Sequence, residues 1–297
     1  MKVEVSRRLA SARKQQHADL SAYPNALGTA IGYKRRGGAR TRTPAVIVYV
    51  REKAPPAEID AASKIPARIK HGRTTIATDV VALGKLGFQF GPPPWFCADR
   101  PDNQGTVTVL CRTVSGAICA LTCAHCIGGS DRDPSTPETI LLWDDVRRTY
   151  LPVGVSGPYA STTGMGTPND FGFSDWGLFS IQDPQLQARA QSAPPMSFGP
   201  IQLGMPVATS TAHGTLQGIV EHAQINVQNY YVDLAIHVEN GGTFGGDSGS
   251  LWRNSDGRGI GIHAMGMTGA GGSPYSFCMY AQRIAATLQQ VGVLMVG

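Results

Sequence analysis

The sequence lacks the uninterrupted apolar run that a signal peptide or a transmembrane helix requires, because charged residues interrupt MKVEVSRRLASARKQQHADL throughout. We therefore expect a cytoplasmic protein that is not inserted into a membrane. Lysine is absent after Lys85. Residues 1–90 hold 17 of the 26 basic residues and 6 of the 21 acids, a balance of +11, against −6 for the remaining residues. This shift in charge predicts two units along the chain.

The predicted boundary between the units is GPPPW (91–95), because consecutive prolines remove backbone donors and hold a chain extended. We expect a basic regulatory or docking segment at 1–90 and a second domain at 91–297. The basic residues accompany no recognition motif, so nucleic-acid binding is not expected. The sequence carries no signal for an oligomeric state.

Cysteine offers little support for disulfides or metal sites. The six cysteines would permit three disulfides after secretion, but reduced thiols are expected without an export signal. Cys123 and Cys126 form a C-x-x-C with no second pair, and no cluster of acids or histidines has metal-site spacing. No glycine-rich loop precedes a helix as a nucleotide site requires. We expect no metal and no cofactor. The cysteines are Cys97, Cys111, Cys119, Cys123, Cys126 and Cys278.

Glycine and proline are spread along the chain, with 36 and 20 residues, which suits many short strands joined by turns. Helical spacing is confined to residues 3–20, to PPAEIDAAS and to AQRIAATLQQVG near the end. The sequence therefore predicts a mostly β protein with a C-terminal helix. The strand-like segments are GTAIGYKRR, AVIVYVREK, TTIATDVVAL, the two apolar runs of GTVTVLCRTVSGAICALTC, TILLW, WGLFSIQ, PVATSTA, GTLQGIVEH, QNYYVDLAIHVE, GSLWRN and GIGIHAMG.

A serine in a glycine-rich turn is the first candidate for chemistry. GDSGS (246–250) would let a carbonyl approach Ser248 and leave backbone N–H groups free to hold an oxyanion. His125 is the candidate base, since a neutral imidazole accepts the hydroxyl proton and returns it to a leaving amine. Asp175 would orient that ring and stabilise the imidazolium. Asp170 is the rival acid, although its TPND context is typical of a turn.

Three motifs in one order resemble those of the trypsin-like, chymotrypsin-fold serine peptidases. LTCAHC (121–126) resembles the family's T-A-A-H-C motif, DWGLFSI its D-I-A-L-L strand and GGDSGS its G-D-S-G-G loop. The resemblance covers roughly residues 105–290. It implies two six-stranded antiparallel β-barrels, at about 105–190 and about 200–285, a C-terminal helix and a small N-terminal α/β or α+β unit.

The resemblance also implies roles for individual residues. His125, Asp175 and Ser248 would be the catalytic triad, the amides of Gly246 and Ser248 the oxyanion hole, and Asp247 the acid that shapes it. About 120 residues precede His125, so activation by a freed N-terminus that pairs with Asp247 is not expected.

A narrower resemblance is to bacterial and plant trypsin-like proteins with an added N-terminal segment. The segments that carry it are GTAIGYK (28–34), IVYVREK (47–53) and Ile65-Pro66. Some bacterial members of this group are associated with defence operons and activate a partner by cleavage. This implies a protein or peptide substrate, with a co-encoded pro-protein as one candidate.

Four residues correspond to the S1 pocket of the family. Gly242, six before the serine, replaces the acid with which trypsin selects Lys or Arg. Thr243 and His263 resemble the pair with which glutamyl endopeptidases and picornaviral proteases bind a P1 Glu or Gln, and Gly266 follows on the same strand. Both side chains can donate to a carbonyl or carboxylate. We predict a P1 Glu or Gln, with a small apolar P1 as the open alternative.

The leading prediction is a serine endopeptidase. We expect low activity until a partner, oligomerisation or N-terminal cleavage raises it, since the glycines before Ser248 make that loop easy to displace. The alternative is a catalytically silent protein of the same fold that binds a partner. His125 or His263 would then be a core histidine. Three further histidines carry no motif and are expected to be structural, namely His213, His222 and His237.

Overall fold

The structure is a computed structural model of the 297-residue chain. It describes residues 3–84, 86–88, 96–98, 104–127, 137–144, 147–161, 174–211, 213–228, 230–267 and 272–297. The linker predicted at 91–95 and the rival acid Asp170 lie outside the described residues.

Strands dominate the described part of the chain. The helices there are α1 (Val3–Ser21), α2 (Ala124–Ile127), α3 (Pro184–Ser192) and α4 (Ala281–Gln290). The strands are β1 (Ala26–Arg36), β2 (Ala39–Val50), β3 (Arg68–His71), β4 (Thr74–Ala82), β5 (Leu86–Phe88), β6 (Phe96–Ala98), β7 (Gln104–Gly105), β8 (Val109–Thr113), β9 (Ile118–Thr122), β10 (Thr139–Asp144), β11 (Thr149–Ser161), β12 (Asp175–Ser180), β13 (Pro206–Thr211), β14 (Gly214–Val227), β15 (Tyr230–Val238), β16 (Leu251–Arg253), β17 (Gly259–Met267), β18 (Tyr275–Tyr280) and β19 (Val293–Val296).

The N-terminal helix α1 packs on a mixed sheet made of β1 to β4. Leu9 and Leu20 lie on the buried face of the helix and belong to one apolar cluster with Ile31 of β1. β1 and β2 form an antiparallel hairpin, β2 and β4 run parallel, and β3 lies beside β4. The predicted helix and strands of this unit are confirmed. PPAEIDAAS instead forms two short 3₁₀ turns, because Ile59 has an extended backbone between them.

β13 to β18 form a closed ring of antiparallel strands. The order around the ring is β13, β16, β17, β18, β15 and β14, and β13 closes it by pairing with both β14 and β16. β14 also pairs with β1, so the N-terminal sheet is continuous with the ring. Buried apolar side chains fill the interior, among them Leu234, Trp252 and Ile260.

The short strand β5 pairs antiparallel with the end of β17. Leu86 of β5 is 5% exposed and belongs to the main apolar core, which anchors the strand. The register is Leu86↔Met267, Gly87↔Gly266 and Phe88↔Met265.

The other sheet has the order β19, β8, β9, β12, β11, β10, β6 and β7. β8 and β9 form the predicted hairpin, with Gly116 at φ 85° in its turn, a conformation that glycine adopts readily. β19 pairs with β8 after the chain has passed through α4, which buries Ile284 and Leu288. The predicted fold class is therefore confirmed: a mostly β chain with two antiparallel barrel sheets, a C-terminal helix and a small N-terminal unit.

The expectation that only the C-terminal stretch is helical beyond the N-terminal unit was wrong. Helix α3 begins at Pro184, and the Asp183 carboxylate accepts hydrogen bonds from the backbone N–H groups of Gln185 and Leu186 at 2.9 and 2.8 Å. Only Ala190 of this helix is buried, so apolar periodicity could not reveal it. The sequence signal that could have revealed this helix is the capping aspartate followed by a proline.

In the part of the chain that the structure describes, no helix combines the length and apolarity needed to cross a bilayer.

Candidate active site

His125 lies on the single helical turn α2, which follows directly after β9. Its backbone N–H donates to Asp175 Oδ1 at 3.0 Å. Asp175 is the first residue of β12, and β12 pairs with β9. The pairing of these two buried strands therefore holds the histidine and the aspartate side by side.

A chain of hydrogen bonds joins Asp175, His125 and Ser248. His125 Nδ1 lies 2.5 Å from Asp175 Oδ2, and His125 Nε2 lies 2.9 Å from Ser248 Oγ. Because an ionised carboxylate can only accept, we assign the proton to Nδ1, which leaves Nε2 to accept from the serine hydroxyl. Asp175 and Ser248 are 0% exposed and His125 is 7% exposed. The structure thus brings together the three residues that the sequence nominated.

The pKa of His125 is raised above its ordinary value. Burial is the largest single influence and lowers this pKa, but the Asp175 carboxylate and Cys126 together outweigh it. The environment therefore stabilises the imidazolium, the species that forms when the ring accepts a proton.

The loop around Ser248 presents two backbone donors. Among the described residues, no acceptor takes a hydrogen bond from the N–H of Gly246 or of Ser248. Gly246 has φ 90°, which side chains rarely permit. Thr106 holds the loop from the other sheet, since its N–H donates to Ser248 O at 2.7 Å and its hydroxyl to Gly246 O at 2.9 Å.

Asp247 points away from Ser248 into a separate set of contacts. Its carboxylate accepts from the N–H of Phe244 at 2.9 Å and lies 3.0 Å from His213 Nδ1. Burial raises the pKa of Asp247, while these two contacts act to lower it. Sequence reasoning gave His213 no role, because no local motif marks a contact made between residues so far apart.

Three predicted S1 residues make close backbone contacts with neighbouring segments. Thr243 exchanges two backbone hydrogen bonds with Ser273, of 2.9 and 2.8 Å. A Cβ at Gly242 would lie 2.9 Å from Ser273 O, so this backbone approach requires glycine. Gly266 lies on β17 opposite Gly87 of β5.

The buried side chain of His263 is joined through Ser276 to Trp252 by hydrogen bonds. The sequence analysis identified His263 but not these two partners. His263 Nδ1 lies 2.8 Å from Ser276 Oγ, and Trp252 Nε1 donates to the same oxygen at 2.8 Å. The serine hydrogen then has two candidate acceptors, and imidazole nitrogen is a stronger one than the nearby Cys278 sulfur. We therefore assign the ring proton to His263 Nε2. Burial, with a smaller contribution from His125, lowers the pKa of His263 to about 3, so the ring is neutral at pH 7.

One described cluster contains metal-ligand types. A thiol of Cys123, a ring nitrogen of His125 and the Asp175 carboxylate have atoms within 4.8 Å of one another. Burial raises the pKa of Cys123, and its thiol donates to His263 O at 3.2 Å, whereas a metal ligand must be a thiolate. A metal here would also separate His125 from Asp175. The residues present favour the hydrogen-bonded chain over a metal site. The described free thiols are Cys111, Cys119, Cys123, Cys126 and Cys278.

One segment of the chain matches a family model. Residues 8–81 match the family model of the NARROW LEAF 1 N-terminal domain. No curated protein matches the chain.

Solved structures resemble the chain in overall fold at low sequence identity. One is a glutamic acid specific serine protease that utilises a histidine triad in substrate binding, with 17% identity, 64% of this chain and 92% of that chain covered, and a TM-score of 0.42. Cellulomonas bogoriensis chymotrypsin has 14% identity, coverage of 68% and 95%, and a TM-score of 0.41. Nocardiopsis protease NAPase has 15% identity, coverage of 71% and 97%, and a TM-score of 0.42.

Proposed function

We propose that this chain is a serine endopeptidase that hydrolyses peptide bonds through an acyl-enzyme. The observation that carries the proposal is the hydrogen-bonded chain from Asp175 through His125 to Ser248, beside two unengaged backbone amides. Each group in this arrangement has a chemical task in acyl transfer.

In the proposed reaction, Ser248 Oγ attacks the substrate carbonyl carbon while His125 Nε2 takes the hydroxyl proton. The amides of Gly246 and Ser248 donate to the oxyanion, and Asp175 stabilises the imidazolium. The imidazolium then protonates the leaving amine. Water, activated by the same imidazole, releases the acyl group and restores the serine.

We assign a regulatory or docking role to residues 1–90 and the peptidase activity to a domain at 91–297. The family-model match at 8–81 supports separate treatment of the N-terminal unit.

The pocket chemistry favours glutamine at P1. The neutral ring of His263 carries a single N–H, a type of donor that matches the amide carbonyl of Gln. No cation is present among Gly242, Thr243 and Gly266 to neutralise a Glu carboxylate, and burying an uncompensated charge is costly. We therefore place Gln ahead of Glu at neutral pH. Gly242 offers no acid for a basic P1.

Burial of the nucleophile supports low basal activity. Ser248 and His263 are both 0% exposed, so a peptide must displace covering residues before its carbonyl reaches Ser248. A protein or peptide, including a co-encoded pro-protein, is the substrate class we propose.

Fluorophosphonate labelling tests the proposal. The wild type should be labelled, whereas Ser248→Ala and His125→Ala should not, because the first removes the nucleophilic oxygen and the second removes the base that activates it. Ser250→Ala is the matched control: this buried serine lies two residues further along the same loop, and its hydroxyl makes no hydrogen bond within the described residues.

A peptide-library profile should then show cleavage after Gln, followed by Glu. Faster cleavage after Leu or Ala would overturn the P1 assignment. Protein that stays unlabelled before and after limited proteolysis would instead support a catalytically silent binding protein.

A further inference from the structure

A cavity of about 450 Å³ is lined by residues of both sheets. Val109 of β8 and Phe179 of β12 line it from one sheet, and Ser210 of β13 lines it from the ring. Leu186 of helix α3 lines it as well. The residues assigned to S1 are not among the described residues that line this cavity, so it is separate from the proposed peptide site.

The lining of the cavity is mostly apolar. Val109 and Phe179 are buried members of the main apolar core, yet both also border this open space. Close-packed protein interiors leave few voids larger than a water molecule. Apolar cavities of roughly 300–1,000 Å³ are the usual places where proteins bind small molecules. The cavity therefore has the size and the lining of a small-molecule site.

Two arginines give the cavity a positive charge. Arg253 of β16 and Arg189 of α3 line it, and no Asp or Glu is among its described lining residues. Neither arginine forms an ion pair with an acid in the described part of the chain. Arg253 is half-buried and donates from Nη1 to Gly257 O at 2.9 Å. Gly297 also lines the cavity and forms no ion pair with either arginine.

The partial burial of Arg253 is unfavourable for its positive charge. Burial lowers the pKa of the guanidinium, and no carboxylate of the described residues offsets this effect. A carboxylate inside the cavity would offset it, because a planar guanidinium can donate two parallel N–H groups to the two carboxylate oxygens. The cavity thus matches a ligand that has a carboxylate at one end and an apolar remainder.

We propose that this cavity binds a free medium-chain fatty acid, with its carboxylate at Arg253 and Arg189 and its hydrocarbon chain along Val109 and Phe179. Burial of the chain against the apolar lining is the main favourable contribution to binding such a ligand. An acyl chain that is esterified in a lipid carries no charge at its carbonyl group, so two arginines without an acid partner favour the free acid. The proposal does not depend on the peptidase function of Ser248.

Calorimetric titration of the full chain with octanoate, decanoate and dodecanoate, each below its micelle concentration, tests the proposal. We expect one bound molecule per chain. The Kd should fall about fourfold for each added methylene, because each buried methylene contributes a similar increment of free energy. Methyl decanoate should bind about tenfold more weakly than decanoate, because the ester lacks the charge that the arginines would bind.

Two variants test the position of the carboxylate. Arg253→Met keeps a long apolar side chain but removes the charge, so it should weaken decanoate binding about tenfold and leave methyl decanoate binding unchanged. Arg189→Met changes an exposed residue of α3, where the fold does not depend on the side chain, and should weaken decanoate binding about threefold. Arg258→Met, the same change at the exposed turn after β16, is the matched control and should bind decanoate like the wild type.

Three results would overturn the inference. An unchanged Kd for decanoate in both Arg253→Met and Arg189→Met would remove the carboxylate from the arginines. A Kd that does not depend on chain length, or equal affinity for decanoate and its methyl ester, would rule out the free fatty acid. The absence of binding up to the solubility limit of dodecanoate, or binding of many molecules per chain, would show that the cavity is not such a site.

Discussion

The two sheets that meet at the candidate site contribute different kinds of residue. The sheet of β8 to β12 supplies His125 and Asp175, the groups that hold and move a proton. The ring of β13 to β18 supplies Ser248, its backbone donors and the S1 residues, which would contact a substrate. In the proposed mechanism, proton transfer and substrate recognition therefore depend on separate sheets.

Proton transfer and substrate recognition should therefore respond to different substitutions. Changes in the first sheet should alter rate and pH dependence for every substrate alike. Changes in the ring should alter the choice among substrates.

Asp175→Asn should have the largest effect, a fall of about 10⁴ in kcat, because the amide no longer holds the tautomer in which Nε2 accepts a proton. The imidazole acts only when neutral, so kcat/KM rises with pH through its pKa. Since Asp175 raises the pKa of His125, the rise should begin at lower pH in the variant. A kcat/KM profile against pH with a Gln peptide measures both effects.

Asp256→Asn, the same change at an exposed turn, is the control. An unshifted acid limb in Asp175→Asn would contradict the assigned role of the carboxylate.

Ser276→Ala should lower kcat/KM about 30-fold for Gln peptides, with little change for peptides with a small apolar P1. The change removes the oxygen that holds both His263 and Trp252. A comparison of the two peptide classes measures it, and the buried Ser250→Ala again serves as the control. Equal losses for both classes would show that Ser276 supports the fold and not selectivity.

Local sequence was sufficient to predict that His125, Asp175 and Ser248 come together, but it was insufficient to predict the residues that surround them. GDSGS and the apolar segments leading into His125 and out of Asp175 carry short-range signals that do not depend on distant partners. Ser276, His213 and β5 acquire their positions through pairing across the ring. β11 was missed because Pro152, Gly154 and Gly157 interrupt its strand pattern.

Arg35→Ala should lower the free energy of unfolding by about 2 kcal/mol, because it leaves a buried carboxylate poorly compensated. Arg35 Nη1 donates to Glu221 Oε1 at 2.8 Å, and Glu221 is 2% exposed. This ion pair joins the N-terminal hairpin to the ring. Urea unfolding measures the loss, with the neighbouring exposed Arg36→Ala as a control within about 0.5 kcal/mol of wild type. Equal losses in the two variants would mean that the positive charge of this segment, and not the contact between Arg35 and Glu221, determines stability.

Thr106→Val should have the smallest effect, a three- to tenfold fall in kcat by our order-of-magnitude estimate for one lost hydrogen bond. The hydroxyl of Thr106 holds the Gly246 carbonyl across the junction of the two sheets. Thr108→Val is the matched control, since its buried hydroxyl has no partner among the described residues. Steady-state kinetics on a Gln peptide compare the two variants. Identical kcat values would show that the Thr106 hydroxyl does not support the nucleophile loop.

The pairing of β1 with β14 has a consequence for the chain during its synthesis. Gly28 pairs with Val227, about 200 residues later, so at ~5–20 residues per second the partner strand follows ~10–40 s after β1 has emerged. During that interval one side of a hydrophobic hairpin is an open edge, the kind of surface on which chains aggregate. The cluster of Lys34, Arg35 and Arg36 at the end of β1 places positive charge on this edge, and like charges on nascent neighbours oppose their association.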